Sequence, residues 1–340
     1  MHAKAVLALL SLGLMGTGTT GCYLGHVAAG QLRLLHQRRP IVEVLADPST
    51  PPDVRERLSV VPRVREFAVD LGLDVGGQYT SYVEWPGDRI VTTVVATRPG
   101  ELDPAGWYFP VVGRVPYKGF FDSERARAEV ERQRAQGRDV CEFAVPAYST
   151  LGWFDDPVTG PMLRGAEGRA VETIVHEFVH ATVFIRSDAD FNEGVASFVG
   201  EEASVLFYSE ADRPGDARRA RRQVEDGRRI RAKRLGLRRQ VAELYGSTPP
   251  GPQREATRDD LERGARQAIA ALPLSSRGAA AAAAEMPLND ACLALSSTYA
   301  ADADGYDRTL RRLNGDLRAF VALLRTAASA PDPRAALLAP

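Results

Sequence analysis

The spacing of apolar residues changes character part-way along the chain. Beyond Pro161 they recur every three to four positions, the period of a helix with one buried face. Helices are predicted there over residues 168–186, 192–209, 217–244, 258–271, 289–300 and 305–327. Before Pro161 the pattern is mixed. Leu32, Leu34 and Leu35 suit a helix over 25–39 that Pro40 ends, and a second helix is predicted over 53–70, between Pro51-Pro52 and Gly72. The period then shortens to two. Residues 79–85 and 89–97 are rich in Tyr, Val and Thr and flank Pro86-Gly87-Asp88, which predicts a β-hairpin. Residues 107–112 suit a further strand, 122–136 a charged helix, and 140–153 one or two strands broken at Pro146. Residues 247–253, with three prolines, read as a linker, and the six alanines in 278–284 as a short helix or a loop.

This order predicts an α+β fold, a mixed body of helices and small antiparallel sheet followed by a mostly α-helical C-terminal half. The expected units are a signal peptide (1–21), an anchored N-terminal helix (22–50), the sheet-bearing part (51–165), the helical part (166–330) and a tail (331–340). The signal-peptide reading rests on Lys4, the apolar run Ala5 to Met15, and the small and polar residues before Cys22. About 11 apolar residues are too few to span a bilayer. Thr19-Thr20-Gly21-Cys22 resembles a bacterial lipoprotein cleavage box, with Thr19 where Leu is usual. Processing there makes Cys22 the acylated first residue, anchored by several acyl chains. Tyr23 is not the Asp that retains lipoproteins at the inner membrane, so the expected place is the periplasmic side of the outer membrane. An ordinary signal peptide with an incidental Cys22 is the plainer alternative. Cys141 and Cys292 remain as an even pair in an oxidising compartment, where a disulfide is open to them. Their wide separation in sequence leaves the pairing undecided.

With 43 basic against 44 acidic residues, the charge balance argues against nucleic acid as a partner. Twelve Lys and Arg nevertheless fall between Arg213 and Arg239. A solvated helix face is the simple reading of that run, and contact with anionic lipid head groups the sharper one.

The chemistry concentrates in His176-Glu177-Phe178-Val179-His180. On a helix, positions i and i+4 share a face, so the two imidazoles can be directed at one ion. Glu177, one step round, is placed to hold an ion-bound water rather than the ion. Ile174, Val175, Phe178, Val179 and Val183 give the helix an apolar surface to bury. No histidine follows His180, which excludes a third downstream imidazole and leaves a carboxylate as the third ligand. Glu193 is the best candidate, at the start of the next predicted helix, where Asp190 or Asn192 can cap. Ala196, Ser197 and Gly200 share its face and are small enough to let the two helices approach. Asp188, Asp190 and Glu201 are the fallback ligands.

Two His, one Glu and an open position describe a catalytic zinc site. The ion lowers the pKa of its water, Glu177 takes the proton, and a peptide carbonyl is attacked. Candidates for the oxyanion donor are Tyr299, Tyr306 and Tyr148. Residues 146–153, with Tyr148 and Gly152, are the candidate edge for aligning an extended peptide. Asp155, Asp156, Glu142 and Glu172 are candidate partners for a substrate ammonium group.

These residues resemble a known family, the bacterial predicted zinc aminopeptidases, lipoprotein-like members of the group that pairs His-Glu-x-x-His with a Glu. The resemblance runs through Cys22, Gly30-Gln31-Leu32, Arg38-Arg39-Pro40-Ile41, Tyr117 with Gly119, and Val145 to Pro157. It continues through His176-Glu177, His180 and Phe191-Asn192-Glu193 to Asn289, Ala291, Leu293, Tyr299 and Gly315-Asp316-Leu317. It implies a zincin-like fold, one zinc ion at His176, His180 and Glu193, Glu177 as base, and a peptide substrate cleaved at its amino terminus. The chain departs from that family in lacking cysteines near Tyr108 and Arg114, and in carrying Gly194 and Gly200 where Ser and Glu are usual. The rival readings are a zinc endopeptidase acting on envelope proteins and a non-catalytic, metal-stabilised lipoprotein. A purely structural metal site has no use for Glu177.

Overall fold

Proline and glycine positions set many of the element boundaries in the computed structural model, which describes residues 19–109, 113–147, 155–165, 167–186, 188–275, 278–294, 296 and 302–339. The chain begins with α1 (Thr19–His36), β1 (Arg39–Pro40) and α2 (Ile41–Ala46). The single helix expected over 53–70 is two, α3 (Pro52–Leu58) and α4 (Val60–Asp70). Pro62 is the reason: it lacks the N–H that a continuous helix would direct at the Leu58 carbonyl.

The expected hairpin does not form. Its two runs are β2 (Ser81–Val83) and β3 (Val91–Thr97), and they enter different sheets. β2 lies between β1, antiparallel, and β8 (Val158–Thr159), parallel. β3 is the centre of a second sheet, between β6 (Tyr117–Phe120) and β7 (Asp139–Val145), both antiparallel. Nearly every side chain of β3 is buried, as a central strand covered on both faces requires. The tight turn between the runs changes sheets rather than closing a ladder. β4 (Trp107–Phe109) and β5 (Gly113–Val115) form a separate hairpin. Helix α5 (Ser123–Ala135) covers the β6-β3-β7 sheet, its first turn capped by the Asp122 carboxylate accepting from Arg125 N–H at 3.0 Å.

The rest is helical: α6 (Gly160–Arg164), α7 (Glu167–Thr182), α8 (Ala189–Glu210), α9 (Pro214–Ser247), α10 (Pro252–Ala270), α11 (Ala279–Ala284), α12 (Asp290–Ala294), α13 (Ala303–Arg312), α14 (Leu317–Ala327) and α15 (Pro333–Leu338). The predicted helix over 305–327 divides because Asn314 and Gly315 turn left-handed, with φ of 57° and 77°. Asp316 then caps α14 by accepting from Ala319 N–H. Residues 331–340, expected to be a tail, include a helix capped by Asp332 that buries Leu337 completely. That segment is part of the core. No helix among the described residues is long and apolar enough to cross a membrane.

The largest apolar cluster joins α3, α4, α7, α8 and α13 to α15. A second fills the space between α9, α10 and α11, and a third lies between the β6-β3-β7 sheet and α5. Cys141 on β7 and Cys292 on α12 form a disulfide, with Cα atoms 5.0 Å apart. Asn289 Nδ2 donates to the Val140 carbonyl at 3.0 Å beside it. The pairing left open by the sequence is therefore made, and it ties the sheet to the helical half.

Candidate metal centre

Helix α7 buries Val171, Ile174, Val175, Phe178 and Val179, while His176, Glu177 and His180 share the opposite, half-buried face. α8 lies across it at close range. A Cβ built on Gly200 would stand 2.7 Å from the Glu172 carbonyl oxygen and 3.4 Å from His176 Cβ. Only a residue without a side chain permits that separation. Ala196 is fully buried in the same seam. Asp188, not Asp190 or Asn192, caps α8, accepting from Phe191 N–H at 3.0 Å. Asn192 instead pins the turn between the helices, its side-chain amide accepting from Ile185 N–H and donating to the Ile185 carbonyl. The first turn of α8, which carries Glu193, is thereby fixed beside the two imidazoles.

His176, His180 and Glu193 come together with one ligand atom each inside a 4.8 Å group that could hold a metal ion. The two Nε2 atoms are 3.0 Å apart, and the Glu193 oxygens lie 3.4 Å from His176 Nε2 and 3.5 Å from His180 Nε2. A tetrahedral ion with arms of about 2.0–2.2 Å sets its donors about 3.3–3.6 Å apart. The donor set therefore fits such an ion with shifts of a few tenths of an ångström. His180 Nδ1, on the far side of its ring, is buried without a partner among the described residues.

The field in the site is strong. Burial resists charge on His176, but the hydrogen bond to Glu193 and the nearby Glu177, Glu193 and Glu172 carboxylates outweigh it and raise the pKa of the imidazole. Burial opposes the Glu193 charge too, yet hydrogen bonds to both imidazoles bring its pKa down to about 2. Glu172, one turn before His176, goes the other way: burial raises its pKa, and the Glu201 charge adds to the shift.

The other candidates distribute differently. Tyr306 is buried against Phe191, Phe198 and Phe320 inside the core, its hydroxyl without a partner among the described residues. It is not available to a substrate. Tyr148, Gly152 and Tyr299 lie outside the described residues, as does the side chain of Cys22. Among the fallback ligands, Asp188 is a cap held by Arg334 at 2.8 Å, and Glu201 is buried against Arg228 and Arg231. Glu202 beside it binds Arg221 and Arg228 at 2.8 Å. Part of the basic run on α9 thus serves as internal counter-charge for two buried carboxylates rather than as a uniformly solvated face. Glu142 and Asp155 are exposed and Asp156 is buried.

Tyr117, not among the site candidates predicted from the sequence, is an addition. Although 46% of the residue is open to solvent, partial burial of its phenol raises the pKa, and the Glu193 and Glu177 carboxylates add to the shift. Tyr79 behaves in the same way through burial, Glu177 and Asp156, and packs edge-on against Phe178 from below. Its backbone is left-handed at φ 57°. The one sequence signal for Tyr117 was its place, with Gly119, among the residues that carry the family resemblance.

A protein-family description, "Putative aminopeptidase", matches residues 22–338. No curated protein and no solved structure matches the chain.

Proposed function

Because the chain belongs to this family, we propose that it is a zinc-dependent aminopeptidase of zincin-like fold, exported and held by a lipid at Cys22 on the periplasmic side of the outer membrane. The observation that carries the reading is the convergence of two imidazoles and one carboxylate at 3.0–3.5 Å on a helix face that also holds Glu177. Two nitrogens and one oxygen suit zinc, and three protein ligands suit a site that leaves one position to solvent.

Bound zinc would supply Lewis acidity toward a water and the scissile carbonyl. The protein supplies the proton handling and the charge complementarity. Glu177, adjacent to a ligand but outside the donor set, takes the proton of the attacking water and returns it to the leaving amine. Tyr117 donates to the developing oxyanion. The carboxylates and burial that raise its pKa keep the phenol protonated, which is what a donor needs. His176, hydrogen-bonded to Glu193, is oriented before any ion arrives. The disulfide supports an oxidising compartment, and the residues around Cys22 support the anchor.

Metal content and hydrolysis of aminoacyl amides and amino-blocked peptides, for the wild type and Glu177→Gln, test the reading. Glu177→Gln is expected to retain zinc and to lose about 10²–10⁴-fold in turnover. Full zinc occupancy with no turnover on any peptide would favour a binding role instead. Hydrolysis confined to amino-blocked peptides would refute the aminopeptidase assignment.

A further inference from the structure

Gly200, the glycine that lets α8 meet α7 beside His176, is followed directly by Glu201. Glu193 and Gly200 are seven residues apart, close to two helical turns, so they share a face, and Glu201 lies about 100° further round. On that side α9 packs. Arg228 Nε donates to one Glu201 oxygen at 2.7 Å, and Arg231 donates to the other. Glu202 accepts two bonds from Arg221, at 3.0 and 2.8 Å, and one from Arg228 at 2.8 Å. Both acids are buried, with 4% and 8% of their surfaces exposed. The Arg228 guanidinium also sits 5.3 Å over the Phe198 ring, which packs on Tyr306 and Phe320. Three arginines of one helix thus grip two consecutive carboxylates of another.

The α7–α8 seam fixes the separation of its helices better than their rotation. Helices register on one another through ridges of side chains, and Ala196, Ser197 and Gly200 offer low ridges. The tolerance at the ligands is small. A side-chain tip roughly 6 Å from a helix axis moves roughly 1 Å when the helix turns by about 10°. The Glu193 oxygens stand 3.4 and 3.5 Å from the imidazole nitrogens, separations that an ion needs to within a few tenths of an ångström. The Asp188 cap and Asn192 hold the first turn of α8, and the α9 arginines hold it again roughly 12 Å further along.

The charges reinforce the grip. Burial opposes the Arg228 charge, but the Glu201 and Glu202 carboxylates outweigh it and raise its pKa. Stripped of its cations, Glu201 would be a desolvated, unpaired charge, and turning α8 to relieve it would also turn Glu193.

We propose that Arg228 and Arg231 are positioning residues for the metal centre: through Glu201 they fix the rotation of α8 about its own axis and so hold Glu193 against the two imidazoles. This rests on the metal-site reading and extends it to a third helix.

The full, disulfide-bonded chain tests it, through zinc affinity by chelator competition and the visible absorption of the cobalt-substituted protein, which reports the number and arrangement of ligands. Arg228→Gln/Arg231→Gln should weaken zinc binding at least tenfold and change the cobalt bands. Arg228→Lys/Arg231→Lys, which keeps the charge and loses the forked bonds, should fall between that variant and the wild type. Asp290→Asn breaks a comparably buried pair with Arg258 on another part of the molecule. It should lower Tm and leave zinc affinity and cobalt bands unchanged. Wild-type affinity and bands in folded arginine variants overturn the proposal, as does an equal loss of zinc affinity in Asp290→Asn. Should the double glutamine variant not fold, Arg231→Lys alone decides by the same criteria. If the wild type binds neither metal, the metal-site reading is what fails. The grip is then read by amide hydrogen exchange over residues 191–199 of the metal-free protein. Exchange at least tenfold faster in the arginine variants than in wild type and Asp290→Asn supports it, and any other pattern overturns it.

Discussion

His176 and Glu193 pull each other in opposite directions on the pH scale, and this has a measurable sign. The Glu193 pKa is depressed from 4.5 to about 2, so its contribution to stability is complete above 4.5 and is lost as pH falls toward 2. The His176 pKa is raised above 6.5, so its contribution is complete below 6.5 and is lost as pH rises through the folded value. In metal-free protein both are present between 4.5 and 6.5. The Tm difference between wild type and Glu193→Gln should be largest in that window and shrink on either side of it. A metal needs the neutral imidazole, so zinc binding at about pH 6 should release a proton from His176. Calorimetry in buffers of different ionisation enthalpy reads that proton, and none should come from this group well above its raised pKa. The pair of imidazoles was legible in the sequence because i, i+4 spacing on a helix is a local fact, and Glu193 followed from the absence of any later histidine. Tyr117 was not legible as a site residue, because the carboxylates that act on its phenol lie some 60 residues and more further along the chain.

Between elements, the close crossing of α7 and α8 sets the ligand spacing. Gly200→Ala would put a methyl group 2.7 Å from the Glu172 carbonyl oxygen, and the helices must separate by several tenths of an ångström to relieve it. The expected cost is about 1–3 kcal/mol in chemical denaturation. Because the same seam carries Glu193, zinc affinity measured by chelator competition should fall at least about tenfold as well. The small residues Ala196 and Gly200 announced this crossing in advance, since a face without bulk has few other uses. Strand pairing gave no such notice. The Tyr, Val and Thr content of residues 81–83 and 91–97 marks them as strands, but their partners are supplied by β1 and β8 in one case and β6 and β7 in the other. A turn between two strand-like runs is compatible with both outcomes, and only the burial of both β3 faces selects the one observed.

Across the whole molecule, the near-balance of charge conceals its arrangement: arginines of α9 neutralise Glu201 and Glu202 in the interior. The sequence showed the basic run, but the acids it answers to lie on another helix. The Cys141–Cys292 disulfide was likewise visible only as a possibility, and its contribution grows with the length of chain it closes. Replacing both cysteines with serine should cost about 2–5 kcal/mol, read by urea denaturation. The bridge also encircles α7, α8 and the proline-bearing turn at residues 248–251. Backbone cleavage by an external protease anywhere inside that ring leaves two pieces still covalently joined. Nicked protein should therefore migrate as one band on a non-reducing gel and as two after thiol treatment, with its metal still bound until the thiol is added.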